Sequence, residues 1–228
     1  MFEHPNIIKY DERIAVYKNF FDADFVEKIN KIMQSDQEFT THQENMIPWY
    51  REKAHMGITE LFEVWQKISE FIAPTHVIHP QLNMIVLKPG ESMFVHEDSP
   101  GEGNHEELTN EDTWGTCCVL DYGIIGYFGD FTGGQVYYPE LGIEIQPEPG
   151  DLVIHGAHSR EKHGVREVLS GIRYAYSTFC MKSEKNPGSF YNYGTEEYND
   201  QIKNNFDSWC APLFKNERTY KKQENLPS

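Results

Sequence analysis

A histidine and an aspartate separated by one residue, His96 and Asp98, are the residues of this chain best suited to bind a metal ion. They follow two apolar stretches, residues 82–87 and 91–95, which a Pro-Gly turn separates. If the second strand continues through both residues, their side chains point to the same face, with about 6–7 Å of backbone between them. Two histidines and one carboxylate form a common iron(II) site, so this pair would supply two of three ligands.

Three histidines further along the chain could complete such a site: His155, His158 and His163. The surrounding sequence favours His163, because it opens a strand that a Ser-Gly turn joins to a second strand carrying Arg173. In that hairpin Arg173 would return beside the strand of His163 and could hold a small dicarboxylate through its forked guanidinium. Neither of the other two histidines is followed by a cation ten residues later. We therefore predict His163 as the third ligand.

The elements that would position these residues fall into helical and strand-rich parts. Amphipathic helices are predicted at residues 23–34, where Asp22 can cap the first turn, and at residues 59–72. About eight short strands with Gly- and Pro-containing turns follow, which is typical of a sandwich or barrel and favours a mainly β jelly roll. We expect one domain, made of residues 1–80 as a strand and two covering helices, residues 81–181 as the core, and residues 182–228 as a loop and a helix.

The composition limits the classes of function. The chain has 228 residues, of which 39% are hydrophobic and 25% charged, as in a globular protein with a sizeable core. A formal net charge of −16 repels phosphate backbones, so we expect no nucleic-acid partner and favour neutral or basic substrates. The four cysteines lack CxxC spacing, and no signal peptide or long apolar run is present. These features indicate reduced thiols, a cytoplasmic location and no membrane partner.

Further motifs surround the predicted ligands in a fixed order. Residues 127–135 have the sequence YFGDFTGGQ, residues 147–154 have PEPGDLVI, and the closing segment, residues 163–174, begins with HGV and ends with GIRY. Together with the HxD motif, this set resembles the iron(II)- and 2-oxoglutarate-dependent dioxygenases. The resemblance covers about residues 80–180 and is strongest to the prolyl 4-hydroxylase-like branch, which includes phage and bacterial members.

The resemblance implies a double-stranded β-helix and a hydroxylase that acts on a C–H bond, such as that of a prolyl or another peptide side chain. It implies an Fe(II) ion held by His96, Asp98 and His163, with three positions left for 2-oxoglutarate and dioxygen, and no catalytic residue beyond this metal site. It implies that Arg173 pairs with the far carboxylate of 2-oxoglutarate, which is converted to succinate. Tyr127 and Ser177 are candidates for a second anchor of that carboxylate, and ascorbate is a compatible reductant.

The chain departs from the family pattern at three positions near the predicted site. Leu87 stands where relatives usually carry a tyrosine, and Met93 stands where they often carry an aromatic residue. His155 ends a strand that usually ends in phenylalanine, and we expect it to be a partly exposed end-of-strand residue rather than a donor that supports the metal site. These departures leave the identity of the substrate open, between a peptide and a small molecule.

The segment after Asp98, residues 99–113, is acidic and without periodicity. A long irregular segment next to a site is often a lid, so we predict that it gates the site and favours a basic peptide or amine, with a solvated loop as the alternative. Two other functions remain open: a cupin-like metal-binding protein and a binding module whose site is vestigial. If the chain is viral, its expected location is the cytoplasm of the host.

Overall fold

The computed structural model describes residues 2–35, 59–73, 75–78, 83–98 and 120–183. Within these residues it contains two α-helices, α1 (Ala23–Ser35) and α2 (Thr59–Ile72), a short 3₁₀ turn (Ser159–Glu161) and many short strands. The strands up to residue 98 are β1 (Ile7–Asp11), β2 (Ile14–Tyr17), β3 (His76–Ile78), β4 (Asn83–Leu87) and β5 (Met93–His96). The later strands are β6 (Tyr122–Phe128), β7 (Phe131–Gly133), β8 (Val136–Tyr138), β9 (Ile143–Ile145), β10 (Leu152–Gly156), β11 (His163–Val165), β12 (Val168–Gly171) and β13 (Arg173–Lys182).

The strands form a large sheet, a small sheet and a two-stranded ladder, all with antiparallel pairing. The large sheet has the order β1-β2-β10-β6-β13-β3, and β4 pairs with β13 alongside β3. The small sheet has the order β5-β11-β8-β9, and β12 pairs with β7. A buried apolar cluster joins the large and small sheets and includes Ile125, Val153 and Ala175 from the first and Val136 and Ile145 from the second. This mainly β architecture is the jelly roll that the sequence predicted.

The central strands of the large sheet, β6, β10 and β13, are buried on both faces, which explains why β6 and β10 are apolar along most of their length. In β10 the side chains of Leu152 and Ile154 belong to the cluster that contains the helices, whereas Val153 belongs to the cluster between the sheets. This alternation follows from the two-residue period of a strand. We call the face toward the small sheet the inner face, and it is the face on which the candidate site lies.

The two helices cover the outer face of the large sheet, as the spacing of their apolar residues predicted. The Asp22 carboxylate accepts a hydrogen bond of 2.9 Å from the Phe25 N–H, which caps α1. Ile29 on α1 and Trp65 and Ile68 on α2 are at most 1% exposed, and burying each such side chain stabilises the fold by about 1.5–3 kcal/mol. Within the described residues, no helix combines the length and the apolar character needed to cross a membrane.

The strands β4 and β5 on either side of the Pro-Gly turn belong to different sheets. Two expectations about local pairing are wrong. Strand β5 ends at His96, so Asp98 lies beyond the strand. The strand of Arg173, β13, pairs with β4 and β6 and not with β11, because the chain passes to the opposite sheet after His163. A local pattern predicts strands well but does not specify which sheet each one joins.

Other expectations fall partly or wholly outside the described residues. The acidic segment at residues 99–113 and the C-terminal loop and helix after residue 183 are among them. Strands β1, β2 and β3, from the predicted N-terminal part, pair with strands of the large sheet. Cys180, the cysteine within the described part of the chain, is a buried free thiol.

Candidate metal centre

The structure brings His96, Asp98 and His163 together at one end of the space between the sheets. The two histidines face each other across the β5–β11 pairing, with their ring centres 4.5 Å apart. The Nε2 atom of His96 lies 3.8 Å from Oδ1 of Asp98, and one donor atom from each of the three residues lies within 4.8 Å of the others. Two donors bound to one first-row metal ion at about 2.1 Å are at most about 4.2 Å apart, so a small inward movement would complete the site.

Both histidines hold their rings in the orientation that metal ligands need. The Nδ1 atom of His96 lies 3.0 Å from the carbonyl oxygen of Phe94, and that of His163 lies 3.1 Å from the carbonyl oxygen of Glu161. A carbonyl only accepts hydrogen bonds, so each Nδ1 carries the proton and each Nε2 keeps a lone pair directed at the pocket. Such backbone partners fix the tautomer of ligating histidines in metalloproteins.

Burial sets the charge of the three groups. It lowers the pKa of His163 to about 4, with a contribution from the nearby Arg173 guanidinium, and it also lowers the pKa of His96. Both rings are therefore neutral at pH 7, as a metal ligand must be. Burial raises the pKa of Asp98 to about 6, because the charged carboxylate loses its hydration. A bound cation would stabilise that carboxylate, so the donor set fits a divalent metal.

A buried guanidinium lies beside this cluster. Arg173 is 1% exposed, and it lines the same pocket as the three residues above. Its Nε atom has no hydrogen-bond partner, and among the described residues no carboxylate pairs with it within 4.0 Å. Its charged group lies 4.9 Å from the ring centre of Tyr127, which offsets part of the cost of burial. A buried cation without an anion is costly, so this arrangement favours an anionic ligand.

The two candidate anchors, Tyr127 and Ser177, both lie close to Arg173. Tyr127 is fully buried opposite Ala175, and within the described part of the chain its hydroxyl has no hydrogen-bond partner. Burial raises the pKa of Tyr127 to about 12. The hydroxyl is therefore a protonated donor at pH 7. Ser177 is 8% exposed and lines the pocket four residues after Arg173 on the same face of β13. Either hydroxyl could donate to a carboxylate that Arg173 holds.

The sequence predicts that His155 is partly exposed, and this prediction is wrong. Its side chain is 1% exposed, and it points to the inner face, two residues after Val153. Its Nε2 atom lies 3.7 Å from Oδ2 of Asp98, and its ring centre is 4.2 Å from that of His163. Burial lowers its pKa well below the ordinary value, so this third imidazole in the pocket is neutral.

Two more residues beside the pocket were not predicted from the sequence. The ring of Tyr138 lies 5.8 Å from the rings of both His155 and His163, and its buried hydroxyl has no hydrogen-bond partner among the described residues. Gly123 faces His155 across the β6–β10 pairing, and a side chain there would collide with Asp98. Alternate residues of β6 and β8 face the site, and this two-residue period is the sequence signal that could have indicated Gly123 and Tyr138. The period is hard to recognise because both strands carry apolar residues on both faces.

The pocket itself is small and has apolar walls. Its volume is about 30 Å³, which is enough for a water molecule or two, so a five-carbon dicarboxylate would require side chains to move. Leu87 and Met93 are buried in one apolar cluster, and Met93 lines the pocket. A larger cleft of about 530 Å³ follows α1, but it is an open surface groove, and no candidate ligand residue lines it.

Comparisons with known proteins support the fold. No protein-family model matches the sequence, and no curated protein matches it either. Among solved structures, the chain is similar to the viral collagen prolyl hydroxylase vCPH of Paramecium bursaria Chlorella virus-1 in its 2OG complex, with a TM-score of 0.53 and 13% identity over 75% of this chain and 96% of that chain. It is also similar to a prolyl hydroxylase of Trichoplax adhaerens in complex with a hypoxia inducible factor peptide fragment, with a TM-score of 0.52 and 15% identity over 75% and 84% of the two chains. At these identities the likeness establishes the double-stranded β-helix fold and leaves the reaction to be argued from the site.

Proposed function

We propose that this protein is an iron(II)- and 2-oxoglutarate-dependent dioxygenase that hydroxylates a C–H bond of a peptide side chain. The observation that carries the proposal is the buried guanidinium of Arg173, which has no carboxylate partner among the described residues, in the same pocket as a His-Asp-His cluster. The cluster would hold a divalent metal through two imidazoles and one carboxylate, and the guanidinium would hold the distal carboxylate of a dicarboxylic cosubstrate. A metal site alone would not require the second feature.

Each group of the pocket has a defined task in this reaction. His96, Asp98 and His163 would hold Fe(II), which together with 2-oxoglutarate and dioxygen supplies the oxidising power for hydroxylation. Arg173 binds and orients the cosubstrate, and the Tyr127 or Ser177 hydroxyl adds a hydrogen bond to the same carboxylate. The surrounding apolar side chains exclude water and strengthen this ion pair. They are Ile85, Met93, Ile125, Val136, Val165 and Ala175.

A peptide substrate is supported by two observations. One solved structure of similar fold is a prolyl hydroxylase that holds a peptide fragment. The net charge of −16 would attract basic peptides and repel nucleic acids. The prolyl side chain is the first candidate, and other residues of basic peptides come next.

An anaerobic titration followed by exposure to oxygen tests the proposal. Fe(II) and 2-oxoglutarate should together give a weak visible charge-transfer band, and oxygen with ascorbate should then yield succinate even without the prime substrate. With a basic, proline-containing peptide library, mass spectrometry should detect the addition of one oxygen atom. If neither the band nor succinate forms, the proposal is wrong, and the vestigial or cupin-like alternatives take its place.

Histidine variants provide matched controls for this titration. His163→Ala should abolish both the band and succinate formation, whereas His158→Ala should retain both, since His158 does not line the pocket. Glu97→Gln should also retain both, because Glu97 is exposed and its carboxylate lies 3.9 Å from Lys162 at the surface. Loss of the band in His158→Ala and its retention in His163→Ala would show that His163 is not the third ligand.

A further inference from the structure

The Nδ1 atom of His155 contacts a backbone carbonyl oxygen, as do those of His96 and His163, the two proposed histidine ligands. In His155 this atom lies 3.1 Å from the carbonyl oxygen of Gly156, which can only accept, so Nδ1 carries the proton. The Nε2 atom then keeps a lone pair, and it is buried without a hydrogen-bond partner among the residues that the structure describes. The lone pair belongs to a ring on the inner face, where it lines the metal pocket. The pocket therefore contains three imidazoles with a protonated Nδ1 and a lone pair on Nε2. Two of them, those of His96 and His163, were predicted as metal ligands.

The Asp98 carboxylate lies between two of these imidazoles almost symmetrically. Its Oδ1 atom is 3.8 Å from Nε2 of His96, and its Oδ2 atom is 3.7 Å from Nε2 of His155. The ring of His163 lies 4.5 Å from that of His96 and 4.2 Å from that of His155. Two imidazoles bound at right angles to one ion through bonds of about 2.1 Å have ring centres roughly 4.5 Å apart, so both pairs have the separation of neighbouring ligands.

The residue opposite His155 leaves the space that this arrangement needs. Gly123 is its partner across the β6–β10 pairing. A Cβ at position 123 would lie 2.5 Å from Oδ2 of Asp98 and 2.8 Å from Nε2 of His155. Any side chain larger than hydrogen would therefore separate the carboxylate from the imidazole. Glycine keeps the two groups in contact distance inside an otherwise packed sheet.

We propose that His155 is a fourth protein donor, whose Nε2 atom binds the divalent metal while the cosubstrate is absent. This inference rests on the proposed metal site of His96, Asp98 and His163. His155 lies just outside that set of donors, so its ring or the Asp98 carboxylate moves inward when the metal binds. Four protein donors leave two of six octahedral positions, and a chelating cosubstrate together with dioxygen requires three. Because the cosubstrate must enter the pocket of about 30 Å³ that His155 lines, His155 leaves the metal when 2-oxoglutarate binds, which frees the third position for dioxygen.

Cobalt(II) substitution tests the inference without relying on turnover. In proton NMR spectra of the Co(II)-loaded protein, each ligating imidazole with a protonated Nδ1 gives one strongly shifted, exchangeable N–H signal. The unmodified protein should show three such signals without cosubstrate and two after 2-oxoglutarate is added. The count does not depend on the folding of any variant. Two signals in the cosubstrate-free protein would overturn the inference, and so would three that persist in saturating 2-oxoglutarate.

Variants assign the third signal. His155→Phe should remove one signal, retain the other two and weaken Co(II) binding at least tenfold in calorimetric titrations without cosubstrate. His158→Phe is the matched control and should change the affinity less than twofold. If circular dichroism shows that His155→Phe is unfolded, His155→Gln takes its place with the same expectation. Equal Co(II) affinity of the folded His155 variant and the unmodified protein would contradict the assignment.

The outcomes separate this inference from the proposed function. Two signals that disappear in His96 and His163 variants, with succinate formed by the iron enzyme, would reject the role of His155 and retain the dioxygenase. Three signals that fall to two on addition of 2-oxoglutarate, with no succinate formed, would retain the role of His155 and reject the dioxygenase.

Discussion

Replacing Arg173 with methionine should change stability and cosubstrate binding in opposite directions. Methionine keeps the length that packs against Gly134, where the Arg173 Cδ atom leaves no room for a side chain, but it removes the buried charge. Burial lowers the pKa of Arg173, which shows that the folded protein holds the charged form at a cost. Replacing buried charged groups by apolar residues of similar volume often stabilises a protein by about 1–4 kcal/mol.

Cosubstrate binding should weaken in the same variant. A buried charge-assisted pair broken on one side costs about 2–5 kcal/mol, which corresponds to roughly a 30- to 5,000-fold increase in the Kd of 2-oxoglutarate. The metal affinity should remain within a few-fold, because the three proposed ligands are unchanged. Thermal unfolding of the metal-free protein should shift upward by roughly 2–4 °C for each kcal/mol gained.

Arg166→Met is the matched control for this experiment. Arg166 is half exposed, its charged group lies 3.8 Å from the ring centre of Tyr137, and it pairs with Glu144 at 3.1 Å. Removing such a surface charge should alter stability by less than about 1 kcal/mol and leave 2-oxoglutarate binding unchanged. If Arg173→Met lowers the unfolding temperature and leaves the Kd of 2-oxoglutarate as it was, Arg173 is a structural residue and the argument for the dioxygenase loses its main support.

Two further predictions concern the pocket and the buried tyrosines. Gly123→Ala should weaken Co(II) binding at least tenfold by calorimetry, since its Cβ would lie 2.5 Å from Asp98; Gly142→Ala, with open space around it, should leave that affinity unchanged even if its φ of +64° costs stability. Burial raises the pKa values of Tyr17 and Tyr127 from 10 to about 12, so the unfolded chain releases these protons first. The stabilisation that these two protonated hydroxyls give the folded state is complete below pH 10. As the pH rises toward 12, the free energy of unfolding falls by up to about 2–3 kcal/mol for each tyrosine. Denaturant titrations at pH 8 and pH 11, with phenolate absorbance as a second probe, measure this effect. An equal free energy of unfolding at the two pH values would contradict the prediction.

The two helices could be predicted because their signals are local. The three- and four-residue spacing in α1 and α2 and the Asp22 cap depend on neighbours within a few residues, and the structure places them as expected. The placement of Arg173 is a different case. The sequence predicted that it would approach His163 through a hairpin, whereas it lines the same pocket from the opposite sheet. Arg173 and His163 do line one pocket, but the predicted strand pairing was wrong, because pairing over long distances is not encoded in a local pattern.

His155 was misjudged for a physical reason that lies in β10 itself. A strand that is buried on one face alternates apolar and polar residues, so an imidazole at its end appears to face solvent. The strand β10 is buried on both faces, and all five of its residues are buried. In such a strand the alternation is between two interiors: Leu152 and Ile154 face the helices, whereas Val153 and His155 face the small sheet. Position within the alternation, rather than polarity, indicates which interior a residue enters.

The same alternation connects the polar groups of the site. In β13, Arg173 and Ser177 share the inner face with Ala175, while Tyr174 and Tyr176 pack among the helices. In β6, Gly123 and Tyr127 share the inner face with Ile125. Three central strands of one sheet, β6, β10 and β13, therefore border the site, whereas His96 and His163 come from the small sheet on the other side. A buried ionisable side chain costs stability unless it has a partner. Among the described residues no carboxylate pairs with Arg173, while His155 and Asp98 present lone pairs to each other. An anion and a cation bound in one pocket would satisfy both deficits at once, and that requirement is the physical link between the fold and the proposed reaction.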